Sequence, residues 1–527
     1  MEKSNIHEKI KLLTGNGMWH TQETEDLPSV HLSDGPHGLR KQEEKERQNN
    51  VSLVSTCYPT ASALACSWDV TAAERLGRAV AKEAWNADVA VLLGPGINMK
   101  RSPLCGRNFE YFSEDPFLAG RLGAAYVSAA QGEDVAVSLK HFAANNQETN
   151  RQTSNSQIDE RALREIYLSA FEYVVKTARP ATVMASYNRL NGYYACENRH
   201  LLTEILREEW GFDGVVISDW GACADLAKAV KAGMDLEMPD SHGIHARKLK
   251  AALKAGEISE EDIAKAAGRI EKLVKKYAPD NRAKKDTSDA HEIAKQLACE
   301  SAVLLKNDNA VLPLKSEEPV AVFGRVQLDW FYVGYGSGGD VNPPYKVNLM
   351  EGLENAGVAV DQELAQTYAQ WCAENEPFMG FWGHWPRYFD EMPLTDDQVK
   401  AAASRCGTAL VVIGRAAGEA RENDLEPGSY YLTEDEKKLL SQVSSAFQKT
   451  AVIIDAGSIL DLSWLGWRIL CSMTLGILSI WITPYIQQTD IGYFEAIKQS
   501  SGIGYQPPRD EEFRADDRFD GPQEPRW

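Results

Sequence analysis

The sequence predicts an α/β protein of two domains. A parallel (β/α)8, TIM-like barrel is expected over residues 1–285 and a three-layer α/β sandwich over 286–467, followed by a tail at 468–527. Three observations carry this expectation. Short apolar runs alternate with amphipathic helical stretches through the first half, the pattern of β-α units. The stretch Gly211–Gly221, GFDGVVISDWG, sets Val215, Val216 and Ile217 between glycines and ends on Ser218, Asp219 and Trp220. That is how a strand buried on both faces reads when it carries polar groups at its C-terminal end, where barrels keep their chemistry. A polar segment, DNRAKKDTSD at Asp280–Asp289, then separates this half from a second α/β pattern. An open doubly wound sheet satisfies the same periodicity in the first half.

Taken in order, the strand candidates of the first half are Ala87–Pro95, Val135–Phe142, Ala181–Asn188 and the Val215 run, with helical stretches such as Ala72–Trp85 and Glu160–Lys176 between them. The second half begins near His291, and its strands are expected at Pro319–Gly324, Thr408–Arg415 and Thr450–Gly457. A helix is expected at Glu434–Phe447, between the last two. Parallel order follows from the helices placed between consecutive strands.

The polar residues cluster at the ends of these runs. LSDGPHGLR offers Asp34 and Arg40, GRNFEYFSEDP offers Arg107, Glu110 and Tyr111, and SLKHFAANNQETNR offers Lys140, His141, Asn145 and Arg151. MASYN adds Tyr187. Each alone reads as an ion pair or a satisfied core polar group, and Asp219 alone reads as a helix cap. Lys140 and His141 directly after an apolar run are harder to treat that way, because burying them without partners is costly. Together they describe a polar pocket on one barrel face that suits a small polyhydroxylated molecule. Carboxylates accept from hydroxyls, cations donate to oxygens, and Trp220 supplies an apolar wall.

Bulk properties narrow the class. At 527 residues the chain is too long for one ordinary core, and 43% apolar with 25% charged residues fits a soluble globular protein. The net charge of −20 argues against nucleic-acid and anionic-membrane partners. The first residues, MEKSNIHEKIKLL, lack the apolar core of a signal peptide, and the nine cysteines are scattered without metal-ligand spacing. Reduced thiols in a cytoplasmic protein, with no metal and no cofactor, are the expectation. The apolar run Ile469–Ile482 is too short and too broken to be read as a membrane span.

Three stretches of the second half stand out. GYGSGG at Gly334–Gly339 imitates a phosphate loop, but Pro343 and Pro344 follow it rather than a helix, so a nucleotide-dependent enzyme is a weak reading. PFMGFWGHWPRYF at Pro377–Phe389 reads equally as core or as a stacking platform. In GRAAGEARENDLEPG, Glu419 is flanked by Arg415 and Arg421 and on its own reads as a surface ion pair.

In sequence order, DGPHGLR, GRNFEY, KHFAANNQETNR, SYNRLNG, GFDGVVISDWG and GRAAGEARENDL resemble the family 3 glycoside hydrolases of the bacterial β-glucosidase type. The resemblance runs from about residue 5 to about residue 465, and the pairing of KHF with SDW is its most specific part. It implies a barrel followed by an α/β sandwich, with the active site between them. It implies that Asp219 is the nucleophile and Glu419 the acid/base, the latter supplied by the second domain. By the same match, Asp34, Arg40, Arg107, Lys140, His141, Arg151 and Tyr187 bind the non-reducing sugar and Trp220 stacks on it. The implied activity is that of a retaining exo-β-glucosidase acting on a small β-glucoside or oligosaccharide. DGPHGLR resembles the glucosidase branch rather than the xylosidase-like one. A retaining mechanism needs two carboxyl groups about 5–5.5 Å apart. Lysine and arginine are expected to keep Asp219 ionised, and a closed apolar site to keep Glu419 protonated.

The resemblance stops after DLSWLGW at Asp461–Trp467. Residues 468–527 match no part of the family pattern, as a truncated or frame-shifted gene or a lineage-specific tail would give. An incomplete sandwich with an unpaired sheet edge is therefore expected. The alternative function that goes with it is an inactive or sugar-binding remnant.

Overall fold

The computed structural model describes residues 6–42, 52–279, 283–307, 311–315, 318–380, 382–466 and 471–475. All of these fall in one compact unit, Met1–Trp481, and 482–527 lies outside the described residues. The apolar run Ile469–Ile482 is thus described only at 471–475.

The first half is a curled sheet. Strands His31–Asp34, Val89–Leu93, Ala136–Phe142, Thr182–Ala185 and Val215–Ser218 pair in parallel in that order. Every residue of these five strands is buried, which is why they read as continuous apolar runs rather than alternating ones. The ring closes through single bridges, Ile217 with Leu236 and Thr14 with Glu237. Its first members depart from the ideal repeat: Gly15–Asn16 pairs antiparallel with His20–Thr21, which pairs antiparallel with His31. The barrel is therefore TIM-like rather than a strict eightfold repeat, and the open doubly wound alternative is excluded.

Helices cover the outer face. Val70–Asn86 packs on Pro116–Gln131, and that helix on Ser169–Ala178. A Cβ on Gly77 would lie 2.5 Å from the Tyr126 carbonyl oxygen, so only glycine permits this first approach. Asp235, wholly buried, fixes the sheet to the helices. Its Oδ2 accepts from Val216 N–H (2.8 Å) and from Arg207 (2.6 Å), and its Oδ1 accepts from Arg269 (2.9 Å).

The second half is a sheet in the order Val303–Asn307, Cys471–Leu475, Lys449–Ala456, Thr408–Arg415 and Val320–Phe323. All pairs are parallel except the first, which is antiparallel. Thr433 and Glu436 form a capping box that starts helix Glu434–Ala446. Residues 471–475, which the sequence pattern left unmatched, supply a strand inside this sheet that pairs with Val303–Asn307 and Lys449–Ala456, and the unpaired edge expected of an incomplete sandwich is corrected there. The signal was hidden because CSMTL is too short to show a period.

A chain ended after Gly466 would lose the strand that joins Val303–Asn307 to Lys449–Ala456. It is expected to self-associate through the bared edge, read as a higher mass in sedimentation velocity. A shortened chain with the hydrodynamic behaviour of the full one would contradict this pairing.

Candidate active site

The strand ends of the barrel converge. Asp34 ends its strand with its Oδ2 3.5 Å from Arg40 Nη1 and its Oδ1 3.9 Å from Lys140 Nζ. The Arg40 N–H donates to the Asp34 carbonyl (2.9 Å), so a short turn returns the arginine to the aspartate. His141 is held at its backbone by Asn98, whose side chain accepts from its N–H (2.7 Å) and donates to its carbonyl (2.8 Å). Its Nε2 lies 3.9 Å from Asp219 Oδ2, and its Nδ1 is 3.1 Å from the Tyr111 hydroxyl.

Asp219 follows strand Val215–Ser218 and is buried. Its Oδ1 accepts from Trp220 N–H at 2.8 Å, whereas its Oδ2 has no hydrogen-bond partner among the described residues. The Tyr187 hydroxyl donates to the Trp220 carbonyl (3.1 Å), and the Trp220 indole N–H donates to Met18 (2.9 Å). Trp19 packs against Trp220 with ring centroids 5.2 Å apart.

The second domain brings Glu419 to the same place. Its Oε1 accepts from Arg151 Nη1 at 2.7 Å and from Arg107 Nη1 at 3.3 Å. Its Oε2 accepts from Ser337 through both the backbone N–H (2.8 Å) and the hydroxyl. Arg107 also binds Glu110, and Arg151 binds Glu148 at 2.8 Å while its guanidinium covers the Tyr187 ring at 4.5 Å. These contacts join seven of the ten residues that the sequence singled out with Tyr111 and Ser337, and the other three, Asp34, Arg40 and Lys140, form a group tied to them because Lys140 precedes His141 in the chain. All ten fall at one site, in which Trp220 and Ser337 are half-buried and the rest buried.

Electrostatics distinguish the two candidate reacting carboxyls. Burial pushes Asp219 above the ordinary aspartate range, against the pull of Arg107, Arg151 and Lys140. Burial also acts upward on Glu419, but there Arg107, Arg151 and the Ser337 hydrogen bonds outweigh it and hold the group well below the usual range. The expectation that the cations would serve Asp219 and leave Glu419 protonated is therefore corrected, because both arginines sit on Glu419. Burial, reinforced by Arg107 and Lys140, keeps His141 neutral. Asp34 is pushed up to about 6 by burial, with Lys140 and Arg40 opposing.

Several groups escaped sequence reasoning. GYGSGG packs against Glu419, with Ser337 donating to it. A Cβ on Gly336 would lie 2.5 Å from Glu419 Cβ, and one on Gly338 2.2 Å from Glu110 Oε2, so glycines let this loop close on the site. The density of small residues was the signal, and it was read only against nucleotide loops. The aromatic stretch is core in one part: Trp385 is buried, stacks on Tyr335 at 5.6 Å and donates to the Glu419 carbonyl at 3.0 Å. Phe378, Met379 and Trp382 of that stretch are exposed. His37 accepts from Ala61 N–H at Nε2 (2.8 Å), so its Nδ1 carries the proton donated to the Gly338 carbonyl (2.9 Å). Among the described residues, Cys223, Glu237 and His245 bring metal-type donor atoms within 4.8 Å of one another. The 2.5 Å contact of His245 Nδ1 with Glu237 Oε1 accounts for the approach of that pair. Local spacing did not reveal this group because its members come from separate segments.

Residues 36–273 match the glycosyl hydrolase family 3 N-terminal domain, and residues 302–483 match the C-terminal domain of the same family. The chain belongs to glycosyl hydrolase family 3. Within this family it is 40% identical to the thermostable beta-glucosidase B of Acetivibrio thermocellus over 472 residues, which are 88% of this chain and 60% of that protein. It is 37% identical to an exo-alpha-(1->6)-L-arabinopyranosidase of Bifidobacterium longum over 478 residues, 87% of this chain and 60% of that one. The solved structure of beta-glucosidase 3B from Thermotoga neapolitana in complex with glucose superposes with a TM-score of 0.83 at 34% identity, covering 90% of this chain and 71% of that one. The chain thus spans about three-fifths of the length of these curated relatives. The C-terminal match passes the point at Trp467 where the sequence pattern was lost.

The charge on Asp34 has a measurable cost. Its folded pKa of about 6 lies above the ordinary aspartate value of 3.8, so its ionisation destabilises the fold as pH rises from 4 through 6. An Asp34→Asn variant lacks this titration. The unfolding free energy of the variant relative to wild type should rise by about 2 kcal/mol between pH 4 and pH 7, measured by denaturant titration. A pH-independent difference would contradict the raised value.

Proposed function

We propose that this chain forms the active site of a retaining exo-β-glucosidase that removes terminal non-reducing β-D-glucosyl residues by double displacement. The observation that carries the reading is the meeting of two buried carboxyls from different domains, Asp219 with one oxygen unengaged and Glu419 between two arginines. The names of the relatives support the glucosidase reading. In this reading Asp219 Oδ2 attacks the anomeric carbon as the aglycone leaves, and Glu419 gives its proton to the leaving oxygen. Water then takes the anomeric carbon from Asp219 with Glu419 accepting the proton, so configuration is retained.

Asp34, Lys140 and Arg40 receive sugar hydroxyls remote from the reacting carbon, as do Arg107, Arg151, His141 and Tyr187, while Trp220 lies along the ring face. The sugar and its aglycone displace Arg107 and Arg151 from Glu419. The loss of those charges lets its pKa climb toward that of a proton donor, and the arginines settle on Asp219 and the sugar oxygens. Acid competence is thus acquired with the substrate. No step calls for a metal or cofactor. The substrate is a small β-glucoside or oligosaccharide. A cytoplasmic location accords with the described cysteines, all free thiols, and no described helix is long and apolar enough to cross a membrane.

The test is hydrolysis of an aryl β-D-glucoside followed by NMR. The first-formed sugar should be the β-anomer; α-glucose as first product, or no turnover, would refute the reading. Asp219→Asn should lower kcat by about 10⁴-fold or more with the fold intact by circular dichroism. Glu419→Ala should lower kcat/KM by about 10²–10⁴-fold for alkyl glucosides and far less for dinitrophenyl glucoside, with azide restoring turnover of the latter. Equal losses on both substrates would remove Glu419 from the acid role.

A further inference from the structure

Two carboxylates outside the sugar-binding set lie against this site from opposite sides of the domain seam. Glu148 belongs to the barrel and Glu422 to the second domain, and each reaches across. Glu148 Oε2 accepts from the N–H of Ala420, the residue after Glu419, at 2.7 Å, and from Arg151 Nη1 at 2.8 Å. Glu422 reaches the other way. Its Oε2 accepts from the N–H of Gly106, the residue before Arg107, at 3.0 Å, and its Oε1 from the N–H groups of Glu148 (2.5 Å) and Thr149 (3.2 Å). Every backbone group taken therefore adjoins Glu419 itself or one of the loops that carry Arg107 and Arg151.

The seam around these bonds is closed. A Cβ on Gly106 would lie 1.8 Å from the Arg421 carbonyl oxygen and 2.3 Å from that of Gly418, so the two loops touch backbone to backbone. Asn423 N–H donates to the Leu104 carbonyl (2.8 Å), and Arg387 Nη2 donates to the Glu422 carbonyl (2.9 Å). Ala420 holds a left-handed backbone, φ 64°, at the point where Glu148 binds it. Such a conformation costs free energy in a non-glycine residue and persists only where its surroundings impose it. Carboxylates accepting backbone N–H bonds make strong, directional contacts, and here Glu148 is buried and Glu422 half-buried.

We propose that Glu422 and Glu148 form a reciprocal pair of positioning residues that set the place of Glu419 in the shared site, so that acid/base competence depends on the docking of the second domain. The proposal rests on the reading of Glu419 as the acid/base. Both residues have backbone N–H groups as partners, and Glu148 has Arg151 as well. They act through the backbone of 418–422, 104–107 and 148–151. A displacement of about 1 Å at a reacting group costs on the order of a hundredfold in rate.

The test is Glu422→Gln, which keeps the shape but turns an amide N–H₂ toward donors. For an alkyl β-glucoside, kcat/KM should fall by about a hundredfold, and for dinitrophenyl β-glucoside, which needs little protonation, it should fall far less. In a Glu419→Ala background the same change should add no further loss on the alkyl glucoside. Equal losses on both glucosides, no loss on either, or an additive loss in the double variant would overturn the proposal. Glu148→Gln should reproduce the leaving-group signature, and its failure to do so would overturn the reciprocal pairing. Turnover of both glucosides by wild type checks the function reading separately. Hydrogen–deuterium exchange tests the pair whatever the activity: Glu422→Gln should raise exchange in 104–107, 148–151 and 418–422 and not in the rest of the barrel. Unchanged exchange there, or a rise throughout the barrel, would overturn the proposal.

Discussion

One nitrogen of Arg151 carries the contact on which the site depends. Its Nη1 donates to Glu148 from its own loop and to Glu419 from the other domain, and its guanidinium covers Tyr187. All of these groups are buried. Buried charges are tolerated only where each finds its partners, and removing one partner from such a set costs about 3–5 kcal/mol. The two domains therefore do not simply abut; their contact is built from the charges of the site. A chain that docks its second domain incorrectly loses Glu419 from the site and leaves uncompensated arginines in the barrel.

The same constraint explains why the fold places rigidity where it does. Polar groups emerge from the C-terminal ends of fully buried parallel strands, so their backbones are set by the sheet. Asp34, Lys140, His141 and Asp219 inherit that fixity directly. Arg107, Arg151, Ser337 and Glu419 lie on loops and must be fixed another way. Glycines allow close backbone contact, and carboxylates tie the loop amides together. Strand-borne groups suit recognition of a rigid sugar. On the proposed function, loop-borne groups suit a carboxyl whose proton affinity has to change when the sugar arrives.

The barrel strands were legible because burial on both faces leaves continuous apolar runs, and the site residues because charge directly after such a run has few bland explanations. The antiparallel start of the barrel was not legible: Gly15–Asn16 and His20–Thr21 are too short to show a period. Strand Cys471–Leu475 was missed for the same reason, in a stretch where the family pattern had already failed. Glu148 and Glu422 look in the sequence like ordinary surface acids, and nothing local to them shows that they accept from backbone amides hundreds of residues away. The protonation states were misjudged for a related reason. Sequence order could not show whether Arg107 and Arg151 face Asp219 or Glu419, and the geometry places both on Glu419.

The most direct measurement is trapping with 2,4-dinitrophenyl 2-deoxy-2-fluoro-β-glucoside, in which the fluorine slows both formation and breakdown of a glycosyl-enzyme while the activated phenol speeds formation alone, so the intermediate accumulates. Peptide mass spectrometry of the inactivated protein should place one fluoroglucosyl group on Asp219, with one equivalent of dinitrophenol released. A label on any other residue, or dinitrophenol release without a label, would contradict the account.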